Sequence, residues 1–158
     1  MRNEKYRLSR HLPHTLRRLL PSLLLASSCI ASEGRAETIE TPDSRTSLNM
    51  TLEERTEFLS EMRQMLGSIQ GILQGITLED REMIAKYAVL SGNRMARATP
   101  DTLRNRLPQA FKDLGGPTHM LFEELAIRAE TDDMNDLLKH TNTIMIQCMA
   151  CHAQFRAN

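Results

Sequence analysis

The chain has 158 residues, 20 basic and 20 acidic side chains, and only 4% aromatic residues with no tryptophan. Seven of the bases and two of the acids fall in residues 1–36, which leaves 13 bases against 18 acids, a formal charge of −5, in the rest. That length fits one domain, and a mildly acidic domain of this kind is not a nucleic-acid binder.

Residues 1 to 18 carry Arg2, Lys5, Arg7, Arg10, Arg17 and Arg18 against a single acid, Glu4. Leu19-Leu20-Pro21-Ser22-Leu23-Leu24-Leu25-Ala26 follows, then small residues through Ala31. A basic start, a short apolar run and a small-residue stretch predict an export signal over residues 1–36, with cleavage after Ala36 or Ala31. The apolar run is shorter than the roughly 20 residues that cross a bilayer, so no stable membrane span is expected. Cys29 stands where a lipid-bearing cysteine could stand, but Ala26-Ser27-Ser28 before it lacks the usual leucine.

Residues 37–48, which include Pro42, read as a flexible leader. Asn49 or Thr51 can cap a first helix with Glu53 and Glu54 in its first turn. Phe58, Leu59, Met62, Met65, Leu66, Ile69, Ile72, Leu73 and Ile76 then recur at three- and four-residue spacing and mark one long amphipathic face. Gly67, Gly71 and Gly75 repeat every four residues within it. Each costs a helix about 1 kcal/mol against alanine, so close packing of a neighbour is expected there.

Thr77 is the expected N-cap of a second helix with Met83, Ile84, Tyr87, Ala88, Leu90 and Met95 inside, ending near Thr99-Pro100. Pro108, Gly115, Gly116 and Pro117 predict short turns and a connecting loop over residues 101–117. A third helix is expected from Pro117 or Thr118, with Met120, Leu121, Leu125 and Ile127. Thr131-Asp132-Asp133 caps a fourth, with Met134, Leu137, Leu138, Ile144 and Met145. Four amphipathic helices and no strand signal predict an all-α, antiparallel four-helix bundle over residues 49–158.

The fourth helix runs into Cys148-Met149-Ala150-Cys151-His152. This C-x-x-C-H string is the attachment signature of c-type haem. Thiols add to the two vinyl groups, two intervening residues let both sulfurs reach one macrocycle edge, and the next residue supplies an imidazole for the iron. Other C-x-x-C readings fit less well. A thioredoxin-like pair belongs after a strand in a βαβ unit, and a structural zinc site wants a second ligand pair. Export agrees with haem attachment, which in bacteria takes place outside the cytoplasmic membrane. Two of the chain's three cysteines lie in the motif and the third lies in the export signal, so no structural disulfide is expected.

A C-x-x-C-H motif on the last helix of a four-helix bundle resembles the class II c-type cytochromes, the cytochrome c-prime family. The resemblance covers roughly residues 50–157. It rests on Cys148, Cys151, His152, the following Phe155-Arg156, and the first-helix stretch from Arg55 to Gly75. It implies one covalent haem c, with Cys148 and Cys151 as attachment sites and His152 as proximal iron ligand. The distal side comes from the first helix. In five-coordinate members an apolar residue stands there and small gases such as nitric oxide bind; Arg55 followed by Leu59 resembles that pattern. In low-spin members a methionine ligates the iron and the protein carries electrons; Met62 is the candidate and Met65 the reserve. Arg156, one helical turn after His152, is a candidate partner for a haem propionate. Members often dimerise through the first two helices.

Among the remaining histidines, His119 is expected to cap a helix start or lie at the surface, and His140 to be exposed. No phosphate loop, G-x-S-x-G or H-E-x-x-H occurs. Glu123-Glu124 and Asp132-Asp133 are adjacent in sequence, so their carboxylates point apart on a helix. The expected function is therefore not catalysis. It is single-electron carriage by a periplasmic mono-haem c-type cytochrome docking with periplasmic redox partners, with gas binding at an open iron as the alternative.

Overall fold

The computed structural model describes residues 42–158, so the expected export signal, Cys29 and the first residues of the leader lie outside the described part. The described residues form six helical segments and one pair of two-residue strands. They are all-α in class.

Helix α1 spans Leu52–Thr77. Thr51 is its N-cap: the Thr51 hydroxyl accepts from the Glu54 N–H and the Glu54 carboxylate accepts from the Thr51 N–H, a reciprocal capping box. Of the two caps the sequence offered, Thr51 is the one used; Asn49 instead adopts a left-handed φ of 49° in the approach. The helix ends where Glu79 takes φ 55°, and the Asp80 N–H turns back to the Gly75 carbonyl at 2.8 Å. Thr77 is therefore the last residue of α1, and its hydroxyl donates back to Leu73 O at 2.9 Å. Asp80, not Thr77, caps α2 (Arg81–Leu90), accepting from the Met83 N–H at 2.9 Å.

The expected second helix is broken at Ser91-Gly92, and Met95 lies in a separate helix, α3 (Asn93–Ala98). Side chains from two other helices hold the break. Ser91 donates to the Ser68 hydroxyl at 2.8 Å, His119 Nδ1 lies 2.7 Å from Ser91 O, and Glu123 accepts from the Asn93 N–H at 3.0 Å. A short turn, α4 (Asp101–Arg104), follows.

Helix α5 spans Gln109–Arg128, starting eight residues before the expected position and running through Gly115, Gly116 and Pro117. The residue before a proline usually avoids helical angles because its side chain meets the ring. Gly116 has no Cβ, which relieves that clash, and the Thr118 hydroxyl bonds Leu114 O at 2.8 Å on the same turn. Helix α6 (Met134–Gln154) is capped by Asp133, which accepts from the Asp136 N–H at 3.0 Å. Of the three residues expected at this cap, Asp133 does the work.

Helix α1 packs on α2 and α6, α2 on α5, and α5 on α6. The main core joins Met65, Ile69, Ile72, Ile84, Phe122, Leu125, Leu137 and Ile144. Fully buried side chains of this type each stabilise the fold by about 1.5–3 kcal/mol relative to exposure. A second cluster, Leu48, Met50, Leu103, Leu107 and Phe155, sits under the N-terminal segment. Strand β1 (Thr46–Ser47) pairs in parallel with β2 (Phe155–Arg156). The end of the expected leader is thus paired with the C-terminus rather than loose, because Leu48 and Met50 bring apolar surface to bury.

Candidate functional site

Helix α6 builds the site. Its buried residues Leu137, His140, Thr141 and Ile144 recur at helical spacing, and the same stripe continues through Cys148, Cys151 and Phe155. The two thiols therefore lie one turn apart on the core-facing side, both half-buried, and no disulfide joins them. Cys148 packs against the main core and Cys151 against the second cluster. His152, one residue further around the helix, is exposed.

Burial pushes both thiols above the ordinary cysteine range, and for Cys151 the neighbouring Cys148 adds to the effect. Redox-active dithiols are tuned the other way. Among the described residues no three His, Cys, Asp or Glu side chains converge to hold a bare metal ion. The chemistry of the donor set, two unpaired thiols on one helix face beside an accessible imidazole, fits covalent haem.

The α1 candidates take different places. Met62 is half-buried and packs against the same core as Cys148. Met65 is only 8% exposed and is a member of that core. Leu59 is half-buried. Phe58, one residue before it, packs against the second cluster, its ring 6.0 Å from that of Phe111. Phe111 in turn meets Phe155 edge-on at 5.5 Å. A groove of about 380 Å³, lined by Leu66, Ile69, Gln70, Leu73, Gln74 and Thr77, lies along α1 and includes none of the motif residues.

Arg156 is already engaged. Its Nε donates to Arg45 O at 3.2 Å and lies 4.0 Å from the Asp43 carboxylate. Arg45 reaches the motif itself, donating from Nη1 to His152 O at 3.3 Å. Sequence reasoning did not single out Arg45 or Asp43, since no local pattern links them to a motif more than 100 residues away.

Two expectations for histidines are corrected. His140 is buried, not exposed: its Nε2 lies 2.9 Å from Leu121 O and its Nδ1 lies 3.1 Å from Arg128 Nη1. Arginine can only donate, so Nδ1 accepts and the ring proton sits on Nε2. His119 is within α5 rather than at a helix start, and it braces the end of α2 through Ser91.

No protein-family model, curated protein or solved structure matches this chain.

Proposed function

We propose that this protein is an exported, periplasmic mono-haem c-type cytochrome of class II type, an antiparallel four-helix bundle that carries single electrons. The observation that carries the reading is the C-x-x-C-H string at the end of α6, with both thiols unpaired on the core-facing stripe and His152 accessible beside them. Cys148 and Cys151 would hold the haem by thioether bonds, and His152 would ligate the iron. Bound there, the haem supplies a reversible one-electron couple. The protein's own part is to fix the imidazole, exclude water from one side through the apolar clusters flanking the cysteines, and present Met62 or Leu59 from α1. A Met62 thioether would favour electron carriage by raising the potential. The −5 charge beyond residue 36 suits steering toward a basic partner surface.

The test is the visible spectrum of protein expressed with a cytochrome c maturation system, oxidised and reduced, with and without carbon monoxide. Haem that survives a denaturing gel, and is lost in Cys148→Ser/Cys151→Ser, supports the reading. Absence of covalent haem from the wild-type chain overturns it. A low-spin spectrum indifferent to carbon monoxide assigns a Met/His carrier. A high-spin spectrum that shifts with carbon monoxide assigns an open iron and gas binding.

A further inference from the structure

The last carbonyls of a helix lack N–H partners from the next turn. In α6 the Phe155 N–H serves Cys151 O. The partner due to His152 O within a continuing helix would be the N–H of Arg156, but Arg156 is in β2. A guanidinium from the other end of the domain takes its place: Arg45 Nη1 donates to His152 O. A cation there also complements the negative end of the helix dipole.

Arg45 is itself aimed. The two carboxylate oxygens of Asp43 accept from its Nε at 2.9 Å and its Nη2 at 2.7 Å, which leaves Nη1 for His152. The link is returned by Arg156, whose Nε donates to Arg45 O. Leu48 N–H donates to Arg156 O at 3.0 Å, and Leu48 and Met50 are buried beside Phe155. Residues 43–50 therefore form a strap across the end of the motif helix, and its one charge-assisted contact to that helix falls on the residue that bears the candidate iron ligand.

We infer that Arg45, oriented by Asp43, is a positioning residue for the His152 turn, so that the strap sets how firmly the imidazole is held at the haem iron. The inference rests on the haem reading above. Fixing the backbone of a ligand residue restricts where its side chain can go, as groups behind metal ligands commonly do.

The experiment uses the full haem-loaded chain and Arg45→Ala, Arg45→Lys and Asp43→Asn. Amide exchange at residues 152–156 is expected to quicken by about 5-fold in Arg45→Ala, as loss of a partly exposed ionic contact allows. The ring signals of His152 in the oxidised protein are expected to move in Arg45→Ala and to return part of the way in Arg45→Lys. Asp43→Asn, the milder change, should give an intermediate result even if Arg45→Ala folds poorly. Exchange and ring signals unchanged in both Arg45→Ala and Asp43→Asn overturn the positioning role. A haem stain absent from the wild-type gel overturns the haem reading instead, and amide exchange on the same samples still decides whether Arg45 holds the turn.

Discussion

Cys148 and Cys151 stand one turn apart on α6 yet border different apolar clusters, Cys148 the main core and Cys151 the group around Leu48, Leu107 and Phe155. The motif thus lies on the seam between the helical core and the cap formed by the N-terminal strap and the α4–α5 region. A group attached to both sulfurs would meet apolar side chains on both sides of that seam.

Met62 and Met65 should separate ligand from packing. Met65 is 8% exposed within the core, so Met65→Ala should cost about 2–5 kcal/mol by leaving a cavity. Met62 is half-buried, so Met62→Ala should cost less stability; on the ligand role proposed above, it should also change the iron spectrum of the haem-loaded protein. Urea unfolding and the visible spectrum of both variants check this. A spectral change in Met65→Ala alone would reverse the assignment.

The glycines of α1 should respond in opposite directions. A Cβ on Gly71 would meet the Tyr87 ring at 2.2–2.4 Å, whereas one on Gly67 would meet nothing within 4 Å. Gly67→Ala should stabilise the protein by roughly 0.5–1 kcal/mol through helix propensity alone. Gly71→Ala should destabilise it by about 1 kcal/mol or more, since overpacking costs about 1–3 kcal/mol and outweighs the same gain. Thermal melts of the two variants give the signs directly.

The α1 cap should be pH-dependent. Arg106, together with the Thr51 N–H, holds the Glu54 carboxyl below the usual glutamate range. A depressed carboxylate stabilises the fold above its unfolded pKa, and the contribution is lost as pH falls through the folded value. Wild type should therefore melt higher than Glu54→Gln at pH 7, and the gap should close as pH drops below the ordinary glutamate range. Thr51→Ala should cost about 1 kcal/mol at neutral pH. Melting curves from pH 7 to 3 test both.

Ser68 and Ser91 are buried partners at 2.8 Å, 23 residues apart. Ser68→Ala leaves the Ser91 hydroxyl buried without that partner and should cost about 1–3 kcal/mol. Removing both hydroxyls should cost less than the sum of the single changes. A double-mutant cycle by urea unfolding reads the coupling, and strict additivity would show that the pair is not coupled.

Local chemistry is what the sequence carried. Helical periodicity and the side-chain oxygens of Thr51 and Asp133 determined the all-α class, the start of α1, and a last helix that runs into Cys148, Cys151 and His152, because spacing and capping act within a few residues. Tertiary contacts decided the rest. The break at Ser91-Gly92 depends on Ser68, His119 and Glu123, which lie 23 to 30 residues from the groups they bond. The burial of His140 depends on Leu121 and Arg128 from α5. The hold of Arg45 on His152 spans 107 residues. Periodicity cannot register such links: a hydrogen bond across the fold leaves no spacing in the chain, and only the packed helices bring its two ends within reach.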